Sequence, residues 1–235
     1  MAGRAFYLVT SLPPLPDLGG VPPLALDELA DQVSARRGPA DLVRTILLAD
    51  DLLQRESFLA GETAAVQPAV LTAAQVRNEA PLPEFLAIET AEAGRRLASD
   101  AVWEAYWREV WAVARRRGST FLREWTRSEL ALRNALATAR AQALGLDPAD
   151  YLVAPDLAGR LDDHAPTVSE WAAAPNPLEG LRVLDRTRWA WLVEHDQWFS
   201  FGDDEVAAYA AKLALLARWH RINAAEKRQS SAAGT

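Results

Sequence analysis

The stretch SDAVWEAYWREVWAVARRRG, residues 99–118, decides the fold class of this 235-residue chain. Its apolar residues recur every three or four positions, the spacing that lines side chains up along one face of an α-helix. They form a stripe of Val102, Tyr106, Val110 and Val113. Tryptophans four residues apart flank this stripe, at Trp103, Trp107 and Trp111. Since more than half of the girth is apolar, we expect other helices to cover this helix on two sides.

Similar signals extend the helical prediction over most of the chain. Around the quoted stretch, helices are predicted over 83–97, 99–117 and 119–144, separated or ended by Gly118 and Gly145. Upstream, a short helix follows Leu26, a second runs from Pro39 toward Gly61, and Thr72 is placed to cap a third. No alternating pattern is long enough to build a sheet. The predicted fold class is therefore all-α, an irregular helical bundle.

Two more helices are predicted near the end of the chain. Asn176 is a typical N-cap residue and Pro177 suits the first helical position, so a helix is predicted from Pro177 to about Gln197. A last helix starts after Gly202 and places apolar residues and one histidine on one face, namely Val206, Tyr209, Leu213, Leu216 and His220.

Proline and glycine divide the chain into five predicted regions. They are an N-terminal arm (1–25), a helical bundle (26–144), a loop-rich connector (145–176), a C-terminal helix pair (177–223) and a frayed tail (224–235). Within the Pro-rich arm only Phe6 to Leu12 is expected to be ordered, as a short extended segment. The tail is assigned because it lacks bulky apolar residues.

Composition excludes several classes of protein. With 50% hydrophobic and 24% charged residues the chain resembles an ordinary globular protein, and no apolar run is long enough to span a membrane. It has no cysteine, and we expect a cytoplasmic location. The net charge of −7 argues against nucleic acid or anionic lipid as a partner. The triplet Arg115-Arg116-Arg117 is interpreted as a basic helix end favoured by the helix dipole.

Motifs of catalysis and cofactor binding are missing from the sequence. There is no glycine-rich phosphate loop and no H-E-x-x-H, and the histidines His164, His195 and His220 are scattered. Adjacent acids, as at Asp50-Asp51 and Asp162-Asp163, lack the further acid three residues on that would direct carboxylates to one metal. We therefore expect no cofactor, no metal and no catalytic residue.

One enzymatic alternative stays open, because Glu129, Arg188 and His195 lie on predicted inward stripes. Burial would raise the pKa of a carboxyl such as Glu129 and suit it to proton transfer. The competing interpretation is structural: Glu129 can pair with Arg133 one turn away, and Arg188 and His195 can pair with acids of another helix.

Two stretches at opposite ends of the chain carry a family resemblance. Near the start stands FYLVTSLP, residues 6–13, and near the end stand LDRTRWAWL, residues 184–192, and YAAKL, residues 209–213, followed by Arg218-Trp219. They resemble the "Y-x-L-V-x-S-L-P" signature and the C-terminal helix pair of a helical family whose genes accompany those of bacterial V/A-type ATPases. The residues that carry the resemblance are Tyr7, Leu8, Leu12, Pro13, Arg188, Trp189, Trp191, Leu192, Tyr209, Leu213 and Trp219.

That family in turn resembles the C/d-type socket protein of V/A-type ATPases, which joins the central shaft to the membrane rotor ring. The resemblance implies a non-catalytic central-stalk or accessory subunit in proton or sodium transport. Its partners would be the shaft subunits and the rotor ring, and it would lie peripherally at the inner face of the membrane. A helical assembly factor or scaffold for that complex is the alternative. Trp189 and Trp198 are the predicted interface residues, with burial inside the chain as the competing interpretation.

Overall fold

The computed structural model describes residues 6–87, 97–196 and 200–233, with side chains up to residue 228. Over these ranges the chain forms helices and turns without a strand, which confirms the all-α prediction. The α-helices are α1 (Phe6–Ser11), α2 (Leu26–Val33), α3 (Arg37–Leu59), α4 (Ala73–Val76), α5 (Ala98–Arg117), α6 (Thr120–Ala143), α7 (Ala165–Ala172), α8 (Pro177–Glu194) and α9 (Asp203–Ala233). Short 3₁₀ turns are Glu84–Leu86, Pro148–Tyr151 and Leu161–His164.

The chain divides into two compact units. Unit 1 combines Met1–Val76 with Trp189–Thr235, and unit 2 is Arg77–Arg188. This division differs from the predicted regions, because α2 and α3 pack against the C-terminal helix α9 rather than within one bundle over 26–144. Such a pairing between the two ends of a chain leaves no local signal in the sequence.

Unit 1 is organised around α3 and α9, which pack along each other, while α2 contacts both and α4 contacts α3. Its largest fully buried side chains are aliphatic: Leu29, Leu42, Ile46, Leu47, Leu52 and Leu213. The predicted capping by Thr72 is confirmed, since Thr72 Oγ1 accepts from Gln75 N (3.2 Å) and Gln75 Oε1 accepts from Thr72 N (2.9 Å).

Two predictions at the ends of the chain were wrong. The segment predicted as extended was Phe6 to Leu12, but Phe6–Ser11 forms helix α1 instead, with Leu8 buried and Phe6 packed on Phe201 at 5.0 Å between ring centroids. These tertiary contacts stabilise a helix too short to persist alone. The predicted tail also continues α9 as far as Ala233, since its alanine, glutamate, lysine, arginine and glutamine residues are strong helix formers even without an apolar face.

Unit 2 is built on the antiparallel pair α5 and α6. Gly118 ends α5 in the left-handed conformation (φ 67°), and Ser119 Oγ caps α6 by accepting from Leu122 N at 3.0 Å. The expected covering of α5 on two sides is observed, because both its valine and its tryptophan sides are largely buried. Its aromatic cluster comprises Trp103, Tyr106, Trp107 and Trp125 of α6.

The segment predicted as a connector lies against α6 in unit 2. Asn134 is fully buried and anchors it, with its amide donating to Val153 O (2.9 Å) and its oxygen accepting from Val153 N (2.9 Å). Part of the segment is helical as α7, which was predicted as loop, and Trp171 of α7 packs on the cluster of Leu132, Leu136 and Leu184. That cluster combines leucines of α6 and α8, and packing against it buries apolar surface of α7. This burial stabilises a helix that is too short to be stable alone.

The predicted helix over 83–97 was wrong for the residues described. Only the 3₁₀ turn Glu84–Leu86 forms, and residues 88–96 lie outside the described part of the chain. The predicted start of α8 is confirmed, since Asn176 Oδ1 accepts from Glu179 N at 2.9 Å. Among the described residues, no helix is both long enough and apolar enough to span a membrane.

Candidate functional site

Two of the segments that carry the family resemblance, residues 6–13 and 209–213, meet in unit 1. Tyr209 of α9 donates its hydroxyl to the backbone oxygen of Pro13 at 2.9 Å, across 196 residues of sequence. Burial raises the pKa of Tyr209 above its ordinary value, so the phenol remains protonated as the donor at neutral pH. The Tyr209 hydroxyl therefore fastens the N-terminal segment to α9.

Helix α1 presents aromatic surface next to this hydrogen bond. We define the α1 surface as Phe6 and Tyr7, whose rings lie 5.6 Å apart edge to face. Tyr7 is 77% exposed, whereas Leu8 beside it is buried. Exposed aromatic side chains on an ordered element are typical of protein interfaces. Tyr7 is thus the residue of the resemblance that is best placed to contact another molecule.

The other residues of the resemblance occupy the interior or its border. Leu8, Leu192, Leu213 and Trp219 are buried, and Leu12, Pro13, Trp189 and Trp191 are partly buried. Trp189 therefore retains some exposed surface, as a contact residue requires. Trp198, the second predicted interface residue, lies outside the described residues.

Buried polar groups of unit 1 join separate elements. Asp50 accepts from Gln54 on its own helix at 2.8 Å and pairs with Arg221 of α9. Its neighbour Asp51 is fully buried and accepts three backbone hydrogen bonds, from Ala69 N (2.8 Å), Val70 N (2.7 Å) and Leu71 N (2.7 Å). The adjacent acids Asp50-Asp51, tested in the sequence as a metal motif, thus attach α3 to α9 and to the 69–71 segment.

A second buried pair in unit 1 was not predicted from the sequence. Lys212 of α9 is buried and pairs with Asp196, which follows α8. His195 beside it stacks on Trp191, with ring centroids 4.0 Å apart, and its Nδ1 lies 2.9 Å from Trp191 O. A lysine in the middle of an apolar helix was the available signal, because a buried ammonium requires a carboxylate partner.

Unit 2 contains a buried ion cluster at Glu129, Asp185 and Arg188. Arg188 Nε donates to Glu129 Oε2 at 2.9 Å, and its Nη1 donates to Asp185 Oδ1 at 2.8 Å. Asp185 is completely buried. The predicted pairing of Arg188 with an acid of another helix is confirmed. The predicted partner of Glu129 was Arg133, but Arg133 donates to Asp100 of α5 at 3.0 Å, and Glu129 pairs with Arg188 instead.

Burial and the charges of the ion cluster shift the pKa values of Arg188 and of two neighbouring groups. Burial alone would lower the pKa of Arg188, but the carboxylates of Glu129 and Asp185 outweigh it and raise the pKa. Burial, aided by the charge of Glu129, raises the pKa of Tyr106. Burial lowers the pKa of His164 against the opposing charges of Glu129 and Asp163. The guanidinium therefore stays protonated between two carboxylates at neutral pH.

The structure brings together two of the three residues of the enzymatic alternative. Glu129 and Arg188 do converge, but as partners of one ion pair, whereas His195 belongs to unit 1 and His220 is exposed. In the described part of the chain, no group of three or more histidine, aspartate and glutamate side chains is arranged to hold a metal ion. An arginine paired with two carboxylates can position helices, and Arg188 donates from Nε to Glu129 and from Nη1 to Asp185.

Comparisons of the chain with protein-family models, with curated proteins and with solved structures found no match.

Proposed function

We propose that this chain is a non-catalytic central-stalk subunit, similar to the C/d-type socket protein, or an accessory subunit of a V/A-type ATPase or ATP synthase. In this role it couples the ATP-driven head to the membrane rotor in proton or sodium transport. Its partners are the shaft subunits and the rotor ring, and it associates with the inner face of the membrane through them.

The observation that supports the proposal most directly is the contact in unit 1 between two of the resembling segments, residues 6–13 and 209–213. Residues 6–13 and Tyr209 lie far apart in the sequence yet share a hydrogen bond, and Tyr7 beside it is exposed. A resemblance at two sites that fold into one region is harder to obtain by chance than one at either site alone. The exposed Tyr7 gives that region a contact surface.

The buried charges give a second, mechanical argument. A coupling subunit must transmit force with little internal deformation, and dense packing with fixed polar contacts resists deformation. In unit 1, Asp50, Asp51 and Lys212 connect neighbouring elements, and in unit 2 the ion cluster connects α6 to α8. Buried polar groups that hold helices in one arrangement support a role as a rigid part.

The decisive experiment is deletion of the gene, followed by purification of the ATPase complex. We expect the chain to copurify stoichiometrically with the intact complex in the wild type. Without it, ATP hydrolysis by the detached head should persist while ATP-driven ion transport into vesicles is lost. Presence in assembly intermediates alone would instead identify an assembly factor. Normal coupled transport in the deletion strain would refute the proposal.

Substitution of Tyr7 by alanine tests the α1 surface. Truncation of an interface aromatic typically weakens binding by about 2 kcal/mol or more, so the fraction of chain retained on the complex should fall at least tenfold. Because Tyr7 is 77% exposed, the melting temperature should barely change. Val21→Ala is the matched control, since Val21 belongs to the same unit and is 70% exposed. Equal retention of the two variants would contradict a binding role for the α1 surface.

A further inference from the structure

The turn between α5 and α6 concentrates positive charge on an acidic chain. Residues 115–127 contain five arginines and one glutamate, Glu124, whereas the whole chain carries a net charge of −7. We define the arginine tip as the five exposed arginines of this segment, Arg115, Arg116, Arg117, Arg123 and Arg127. All of them belong to unit 2, and the left-handed turn at Gly118 places the end of α5 beside the start of α6.

Helix stability does not explain this concentration. A cation in the last turn of α5 is favoured by the helix dipole by about 0.3–1 kcal/mol, which accounts for part of the triplet at 115–117. Adjacent like charges repel, however, and Arg123 stands one turn into α6, near the positive end of that helix dipole. The tip therefore contains more positive charge than the helix dipoles stabilise.

The tip remains available to a partner despite its internal contacts. Arg116 Nη2 lies 2.9 Å from Glu109 Oε1, but the Arg116 side chain is 58% exposed. Exposed ion pairs of this kind contribute about 0.2–1 kcal/mol and exchange readily for others. Guanidinium groups bind carboxylates through paired hydrogen bonds, so five exposed arginines within residues 115–127 suit a partner segment that carries several carboxylates.

We propose that the arginine tip binds an acidic segment of another protein, one that presents three or four carboxylates within about two helical turns. A short segment needs only the local positive charge, since screening limits interactions to about 8 Å at physiological ionic strength. Nucleic acid and anionic membranes extend well beyond that distance and would also face the acidic remainder of the chain. The inference concerns unit 2 and stands independently of the α1 surface of unit 1.

The test is fluorescence anisotropy of a labelled helical peptide that carries four glutamates on one face, with a glutamine peptide for comparison. At about 50 mM salt we expect the glutamate peptide to bind at least tenfold more tightly than the glutamine peptide. The triple variant Arg115→Gln/Arg116→Gln/Arg117→Gln should lose at least tenfold in affinity. The control Arg77→Gln/Arg160→Gln/Arg186→Gln makes the same charge change at exposed arginines of unit 2 and should lose less than twofold.

Three outcomes would overturn the inference. One is equal loss in the triple variant and its control, which would indicate attraction by overall charge alone. Another is the absence of a difference between the glutamate and glutamine peptides. The third is tighter, tip-dependent binding of a 12-base-pair DNA duplex or of phosphatidylserine vesicles, which would assign the tip to those partners. Circular dichroism and thermal unfolding verify that both triple variants are folded.

Discussion

Replacement of Arg188 by methionine should lower the free energy of unfolding by about 3–5 kcal/mol at neutral pH. The substitution removes the donors at 2.9 Å from Glu129 and at 2.8 Å from Asp185, and it leaves two carboxylates without their cation. Asp185 is completely buried, so water cannot replace the lost hydrogen bond without opening the packing of α8. Urea unfolding monitored by tryptophan fluorescence measures the loss.

Arg186→Met is the matched control two residues away on the same helix. Arg186 also pairs with a carboxylate, Glu170 at 2.6 Å, but both side chains are at least 60% exposed. Exposed pairs contribute less than about 1 kcal/mol, so this variant should be nearly as stable as the wild type. Equal destabilisation by the two substitutions would show that the buried ion cluster contributes no more to stability than the exposed pair of Arg186 and Glu170.

A triple substitution tests whether the ion cluster has only a structural role or also a chemical one. Glu129→Met, Asp185→Leu and Arg188→Met together remove every charge of the cluster while keeping similar volume. Replacement of a buried ion group by apolar residues is often neutral or stabilising, so most of the stability lost in Arg188→Met should return. Under the proposed function, coupled ion transport by a complex that contains this triple variant should match that of the wild type. A stable triple variant that fails in transport would restore a chemical role for Glu129 and Arg188.

Sequence reasoning succeeded where the signals are local. The caps at Thr72 and Asn176 and the end of α5 at Gly118 depend on side chains within a few residues of the helix ends, and the structure has them as expected. Helical spacing in 99–117 likewise identified a helix that is buried on two sides. These features follow from the backbone geometry of one element.

Contacts between residues that are far apart in the sequence could not be predicted from such local signals. The contacts of α1 with Phe201 and the hydrogen bond from Tyr209 to Pro13 cross nearly the whole chain. Arg188 and Glu129 are 59 residues apart, so the inward stripe indicated their burial without identifying their pairing. The acids Asp50 and Asp51 were tested only against metal spacing, because backbone amides as partners leave no trace in the residue types.

Substitution of Asp51 by alanine should destabilise unit 1 by about 3 kcal/mol or more at neutral pH. One carboxylate accepts from Ala69, Val70 and Leu71, all at 2.7–2.8 Å, and it is fully buried. Each buried amide left without an acceptor costs about 1–3 kcal/mol, and water has little access to replace the carboxylate. Asp31→Ala is the control, since Asp31 is exposed on α2, and it should change stability by less than about 0.5 kcal/mol.

Asp51 should also titrate at an unusual pH. Burial raises its pKa from 3.8 to about 6, aided by the charge of Asp50 and opposed by the three amide hydrogen bonds. Because the folded pKa exceeds the unfolded one, the stability that comes from protonation of Asp51 is complete below pH 3.8 and is lost as the pH rises through 6, while the hydrogen bonds from the three amides remain. The loss amounts to about 3 kcal/mol by pH 7 at 1.36 kcal/mol per pKa unit.

Carbon-13 NMR of the aspartate carboxyls measures this titration directly. One resonance that is absent from Asp51→Ala should move with a midpoint near pH 6, which is where the pKa places it. Over pH 4–7 the unfolding free energy of the wild type should fall more steeply than that of the variant, because Asp51, whose pKa burial raises in the folded state, is present only in the wild type. A midpoint below 4 would mean that the three amides outweigh burial, and the two stability curves would then run parallel above pH 5.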